Sequence, residues 1–163
     1  MYSWVIFLHV FSVLGFLLAH GASAAVMFRV RAEREPVRLQ ALLDLSQAVG
    51  GLTSATALLL LVAGILGGFM GGWWGRGWIW AALVLFIAVG FVMSFLGRLY
   101  LERVRRAIGV AANEASRQAT EPPQPVSREQ LVAVLNSGQP MALALIGLGG
   151  LAVITWLMIF KPF

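Results

Sequence analysis

Both histidines of this 163-residue chain lie in its first apolar stretch, at positions 9 and 20. Residues eleven apart in an α-helix fall within about 20° of the same helical face and roughly 16 Å apart along the axis. An imidazole inside lipid is costly unless it has a partner. The spacing therefore predicts that His9 and His20 serve two sites at two depths of the membrane.

The first interpretation of these sites is haem ligation. Imidazole is an axial ligand of haem iron, and helical bundles bind cofactors between facing helices. We therefore expect haem b as cofactor, with His9 and His20 as metal ligands. The chain has no cysteine and no third histidine. Each iron would then be five-coordinate, receive a histidine from a second copy of the chain, or bind a thioether: Met158 for His9 and Met93 for His20.

Haem propionates are anionic and need cationic partners. Three arginines near the ends of the predicted spans are the candidates for that pairing. Arg76 lies at one end of the bundle, and Arg29 and Arg98 lie at the other.

The alternative for His20 is a structural hydrogen bond to a neighbouring helix, since the next apolar stretch begins with three hydroxyl residues, Thr53, Ser54 and Thr56. On this interpretation the protein is a cofactor-free structural or accessory subunit of a larger membrane complex. The two hypotheses remain open at the level of sequence.

These residues lie within four apolar stretches. The chain is 60% hydrophobic and only 12% charged, which is typical of an integral membrane protein. The stretches, at about 3–28, 52–70, 79–97 and 141–160, each have the length of a transmembrane helix. We predict a single all-α membrane domain, a four-transmembrane-helix bundle in contact with the lipid bilayer.

Two longer polar segments connect these spans. In residues 29–49, Pro36 is suited to begin a short helix, and Gly50-Gly51 is expected to separate that segment from the second span. In residues 98–139, the third helix is expected to continue to about Arg117 and to stop at the proline-rich segment 121–125. Ser127 then begins a capping-box pattern before a short helix that Gly138 and Pro140 are expected to end.

The distribution of charge predicts the orientation. Ten of the twelve basic residues fall in the two segments 29–49 and 98–139, which the positive-inside rule assigns to the cytoplasm. Both termini are then on the outer side, and all six tryptophans fall at the outer ends of the spans. We expect a multi-pass protein of the bacterial inner membrane.

The sequence also argues against several functions. The four apolar stretches contain no Asp, Glu, Lys or Arg, which disfavours a proton relay, a transporter and a lysine-centred active site. We therefore expect no catalytic residues and favour a non-enzymatic role. The net charge of +5 comes from arginines near helix ends, so we expect no nucleic-acid partner. A homo-oligomer or a larger membrane complex remains the expected assembly.

The first helix resembles those of small bacterial four-helix membrane proteins. The shared features are an aromatic start at Trp4, the pair Leu8-His9, glycines at 15 and 21, and a basic exit at Arg29. The set includes a family of predicted integral membrane proteins of unknown function and, more distantly, the copper-resistance protein CopD and the membrane-bound protoporphyrinogen oxidases. The resemblance to the oxidases implies haem ligation by His9. This chain lacks their intramembrane lysines and further histidines, so the oxidase activity is not implied.

Overall fold

The structure, a computed structural model, describes residues 1–111 and 124–163, and within these ranges it contains helices and no strand. The α-helices are α1 (Tyr2–Ala32), α2 (Pro36–Gly71), α3 (Gly77–Ala107), α4 (Arg128–Leu135) and α5 (Gln139–Phe160), with a short 3-10 turn at Trp73–Gly75. Four helical segments, α4 and α5 counting as one, are long and apolar enough to cross a membrane. The predicted all-α bundle of four membrane helices is confirmed.

The helices are longer than a membrane requires. Lipid offers no hydrogen-bond partner to the backbone, which is why apolar spans fold as helices. At 1.5 Å per residue, the 31 residues of α1 extend about 46 Å and the 36 residues of α2 about 54 Å, against about 30 Å of hydrocarbon. The helices therefore continue well beyond their apolar stretches.

This continuation corrects the prediction for residues 29–49. Helix α2 begins at Pro36, as the proline suggests, and runs through Gly50-Gly51 without the expected break. A glycine inside a helix costs only about 1 kcal/mol, and the buried Leu39 and Leu43 pack the first part of α2 into a core. Only three residues connect α1 to α2, so these two helices form an antiparallel hairpin.

The bundle consists of two helix pairs, in which α1 packs mainly on α2 and α3 mainly on α5. Between the pairs, α1 meets α5 and α2 meets α3 only along short stretches. In the most apolar part of each span, at most 17% of the residues are buried inside the protein. Most of the surface of the spans therefore faces outward, towards lipid.

One end of the bundle, here called the arginine end, contains the exit of α1 at Arg29, the start of α2, the end of α3 and helix α4. An apolar core joins these elements, and the Tyr100 hydroxyl donates to the Leu135 carbonyl across it. The buried members of this core are Val26, Val30, Leu39, Leu43, Tyr100, Val104, Ala107, Leu131 and Leu135. The two helix pairs are thus connected most firmly at the arginine end.

The opposite end, here called the tryptophan end, contains both termini and the turn from α2 to α3. Gly72 adopts a positive φ of 67°, which the sharp exit from α2 requires. The Lys161 ammonium lies 4.2 Å from the centre of the Trp73 ring and 5.5 Å from that of Trp78. The Trp78 backbone N–H donates to the Phe163 carbonyl, so the carboxyl terminus is attached to α3.

The connection into the last span agrees with its sequence signals except at Pro140. Ser127 and Gln130 form the predicted capping box at the start of α4. Pro140, expected to end this short helix, lies instead in the first turn of α5, where a missing N–H costs nothing. The predicted continuation of α3 to about Arg117 is wrong, because α3 ends at Ala107 and Gly109 follows with a positive φ of 76°. Residues 112–117 and the first three residues of segment 121–125 lie outside the described residues.

The core at the arginine end can be tested with two leucines of α2. Leu39 is fully buried in it, whereas the side chain of Leu45 is exposed. We expect Leu39→Ala to destabilise the protein by about 2–5 kcal/mol through loss of apolar contact and formation of a cavity. Leu45→Ala is the matched control and should change stability by less than about 0.5 kcal/mol. Thermal unfolding in detergent, followed by tryptophan fluorescence, measures both; equal midpoints would contradict the assignment of the core.

Candidate functional site

A cavity of about 560 Å³ lies where the two helix pairs diverge, on the side of the bundle nearer the arginine end. Four helices contribute to its wall, and each does so through residues at helical spacing. On α1 these are His20, Ser23, Ala24, Met27 and Phe28; on α2, Leu43, Ser46, Gln47, Gly50, Gly51, Thr53 and Ser54; on α3, Met93, Ser94, Gly97, Arg98, Leu101, Glu102 and Arg105; on α5, Pro140, Leu143 and Ala144.

Three glycines help to keep this cavity open. A Cβ atom added to Gly50, Gly51 or Gly97 would meet no atom within 4 Å other than its own local backbone. All three belong to the cavity wall. The glycine pair that sequence reasoning assigned to a helix break is therefore part of the cavity wall on an unbroken helix.

His20 lies at the inner part of this cavity, close to Met93. A Cβ atom built on Gly147 of α5 would lie 2.8 Å from His20 Nε2 and 3.2 Å from the Met93 methyl carbon. Both side chains therefore approach the same point of α5, which the absence of a side chain leaves free. Phe16 stacks on the imidazole, with ring centres 5.6 Å apart and planes inclined by 17°. The structure thus brings together the imidazole and the thioether that the sequence proposed as a pair.

The surroundings of His9 are different. Its Nδ1 atom lies 3.3 Å from the Leu60 carbonyl oxygen. Because a carbonyl only accepts hydrogen bonds, this contact requires the proton on Nδ1 and leaves Nε2 as the acceptor. The same ring packs on Gly64, where an added Cβ would lie 3.1 Å from Cε1. His9 therefore has both a hydrogen-bond partner and a glycine surface on α2.

The other sequence candidates separate into those at the cavity and those away from it. Arg98 belongs to the cavity wall, whereas Arg29 is exposed at the exit of α1 and is not part of that wall. Arg76 is exposed in the turn at the tryptophan end. Met158, proposed as a partner of His9, has a partly exposed side chain on α5, while the hydrogen bond and the glycine contact of His9 are both with α2.

The hydroxyl residues of α2 do not act as the alternative predicted. Thr53 donates to the Val49 carbonyl, Ser54 to that of Gly50 and Thr56 to that of Leu52, all within the same helix. In the part of the chain that the structure describes, none of them is hydrogen-bonded to His20. A Thr or Ser in a helix commonly satisfies its hydroxyl on the carbonyl four residues earlier, and this local bond is the one formed here.

The sequence analysis did not identify Arg105, the most buried charged residue among the described residues of the cavity wall. The side chain of Arg105 is 10% exposed, lines the cavity and contacts Asp44 at 3.2 Å. The available signal was spacing, because Met93, Gly97, Leu101 and Arg105 follow one another at four-residue intervals and therefore share a face of α3. The described residues contain no group of three or more His, Cys, Asp or Glu side chains able to bind a metal ion.

The contact between His20 and Gly147 can be tested by adding a methyl group. Gly147→Ala places a carbon 2.8 Å from His20 Nε2, and we expect a destabilisation of about 1–3 kcal/mol. Gly149→Ala is the control, because its Cβ would meet nothing within 4 Å. Thermal unfolding in detergent measures both. The penalty at position 147 should fall in a His20→Ala background; an unchanged penalty would show that the ring is not the obstacle.

The comparisons with known proteins concern the family alone. The family model described as "Predicted integral membrane protein (DUF2269)" matches residues 3–162, which is nearly the whole chain. Among curated proteins and among solved structures, none matches this chain. The more distant resemblance to CopD and to the protoporphyrinogen oxidases has no counterpart in these comparisons. The chain belongs to DUF2269, a family of predicted integral membrane proteins.

Proposed function

We propose that this membrane protein binds one b-type haem in the cavity between its two helix pairs and acts in electron transfer or as a subunit of a redox complex. The observation that carries the proposal is the convergence of three side chains on one cavity: His20, Met93 and Arg98. They offer an imidazole ligand, a thioether ligand and a cation for a propionate. Imidazole and thioether together are an established pair of axial ligands for haem iron.

The size and chemistry of the cavity fit such a group. Its volume of about 560 Å³ is within the range of about 300–1,000 Å³ typical of pockets for small organic ligands. The same wall contains the candidate iron ligands His20 and Met93 and two cations, Arg98 and Arg105, that could pair with the propionates. When bound, haem would supply one-electron chemistry, and the chain would supply its ligands and counter-charges.

The orientation of the His20 ring must change for it to bind iron in the cavity. His20 Nε2 faces Gly147, which is not part of the cavity wall. Ligation through Nε2 therefore requires the imidazole to turn away from α5. His20 is the favoured ligand, because it lines the cavity together with Met93 and Arg98, whereas His9, the ligand that the family resemblance implies, is not part of the cavity wall.

The proposal includes a location, the bacterial inner membrane, with the arginine end in the cytoplasm. Its support is the concentration of arginines at one end of the bundle and of tryptophans at the other, as the positive-inside rule and the interfacial preference of tryptophan require.

A second candidate is a cofactor-free accessory subunit of a larger membrane complex. The observation that favours it is that His9 already joins α1 to α2, through the hydrogen bond of Nδ1 to Leu60 and the packing of its ring on Gly64. On this hypothesis His20 has an equivalent role in the contact of α1 with α5. The two candidates differ in one measurable property, which is colour.

The absorption spectrum of the detergent-purified protein tests the haem proposal. Protein from haem-replete cells should show a Soret band that shifts on addition of dithionite. His20→Ala should lose most of the bound haem, since it removes the axial ligand, whereas His9→Ala should retain it. A colourless wild-type preparation rules out the proposal. Loss of haem in His9→Ala alone would show that His9, and not His20, is the ligand.

A variant that fills the cavity provides an independent test. Gly97→Leu places an apolar side chain in the cavity and should lower the haem content while preserving the fold, because a Cβ at this position meets nothing and leucine favours helix over glycine by up to about 1 kcal/mol. Gly90→Leu is the matched control on α3, equally free of contacts but outside the cavity wall. The ratio of Soret absorbance to protein absorbance measures both, and equal ratios would mean that haem binds elsewhere.

A further inference from the structure

Arg105 is a nearly buried cation with few partners. Its side chain is 10% exposed, and its single hydrogen bond among the described residues joins Nη2 to Asp44 Oδ1 at 3.2 Å. The Asp44 side chain is 59% exposed, so water screens much of its charge. A guanidinium has five N–H donors, and among the described residues the Arg105 side chain donates only through Nη2.

Arg105 belongs to the cavity wall, so a ligand in the cavity would lie next to this side chain. A buried charge that is only partly paired is unfavourable, and an anion that enters the cavity would relieve this cost. The planar guanidinium binds phosphate and carboxylate groups through two parallel hydrogen bonds. Ser46 and Gln47 lie on the same wall and offer further polar groups.

The net charge near Arg105 also favours an anion. Arg98 and Arg105 both line the cavity, and Glu102 is the only carboxylate among its described wall residues. Glu102 is already paired with Arg106 at 3.4 Å. With the partners of Arg105 and Glu102 included, three arginines (98, 105 and 106) lie near two carboxylates (Asp44 and Glu102), which leaves an excess of one positive charge.

The cavity is elongated and changes character along its length. Met93 and Arg105 are twelve residues apart on α3, about 18 Å along the helix axis. The wall carries charged groups near Arg105, whereas the rest of it combines apolar residues such as Met93, Leu143 and Ala144 with His20 and hydroxyl residues. A ligand that spans this space would pair an anionic group with Arg105 and place a largely apolar body towards Met93.

We propose that the cavity binds an anionic amphiphile, with its phosphate on Arg105 and its apolar chain directed towards His20 and Met93, and that the ligand is an anionic membrane phospholipid. A free phosphate ion shares the head-group chemistry but would leave the apolar part of the cavity unused. The acyl chain would occupy the space that the proposed haem requires, so the lipid and the haem are alternative ligands of one cavity. The lipid proposal rests on Arg105 and on the cavity wall, and it does not require His20 to be an iron ligand.

The test compares phosphatidylglycerol with phosphatidylcholine on the full-length protein, by native mass spectrometry from detergent. Wild type should bind phosphatidylglycerol in preference to phosphatidylcholine. Arg105→Gln should weaken phosphatidylglycerol binding at least about tenfold, as expected for the loss of hydrogen bonds to a charged group. Arg103→Gln is the matched control: it removes the same charge two residues away, from an exposed side chain that is outside the cavity wall and has no carboxylate partner among the described residues, and it should change binding by less than about twofold.

A second variant acts in the opposite direction and guards against a failure of Arg105→Gln to fold. Asp44→Asn removes the competing partner of Arg105 without altering the cavity wall, and should leave phosphatidylglycerol binding unchanged or tighten it several-fold. Weaker binding in Asp44→Asn overturns the proposal, as does equal binding in Arg105→Gln and wild type or the absence of any preference for the anionic lipid.

The source of the phosphate is decided by competition. Inorganic phosphate at millimolar concentration should not displace phosphatidylglycerol, because it lacks the apolar chain. Displacement at that concentration would identify a free anion as the ligand and overturn the lipid assignment. The visible spectrum of the same preparations reports haem separately, so a colourless protein that binds phosphatidylglycerol through Arg105 rejects the haem proposal and supports this one.

Discussion

Helices inside a bilayer are not driven together by the hydrophobic effect, because lipid tails are as apolar as the side chains they replace. The rest of this structure depends on that constraint. The larger of its apolar cores lies at the arginine end, where the long helices continue beyond their apolar stretches and α4 covers them. A smaller cluster around Trp78 and Leu157 connects the helices at the tryptophan end. The core at the arginine end therefore connects the two helix pairs, whereas the buried residues of the tryptophan-end cluster belong to α3 and α5 alone. Between these ends the two pairs can separate.

The cavity follows from this arrangement. The pairs α1–α2 and α3–α5 are each closely packed but touch one another only along short stretches. Where they separate, the wall contains Gly50, Gly51 and Gly97, which have no side chains to fill the gap. Elsewhere glycine has the opposite effect and allows rings to approach a helix: His9 lies on Gly64, and Trp74 and Ile79 lie on Gly68. The same residue type thus produces both close contact and empty space.

Much of the fold was predictable from local signals. Apolar stretches of sufficient length predicted the four spans, and the Ser127 capping box predicted the start of α4. The continuity of α2 through Gly50-Gly51 was not predictable, since a glycine pair lowers helix propensity and only the packing of Leu39 and Leu43 compensates. The cavity could not be predicted from the sequence either, because spacing shows which residues share a helix face but not whether another helix covers that face.

The two histidines show this limit most clearly. Spacing placed His9 and His20 within about 20° of one face of α1 and suggested equivalent roles. In the structure His9 contacts α2, through Leu60 and Gly64, whereas His20 lies where α1 approaches both Gly147 and Met93. A shared face therefore meets different neighbours at different depths. An imidazole already hydrogen-bonded to a carbonyl is suited to hold two helices in register. His20 lines the cavity and His9 does not, and this difference, which spacing alone cannot show, decides which of the two imidazoles a ligand in the cavity could reach.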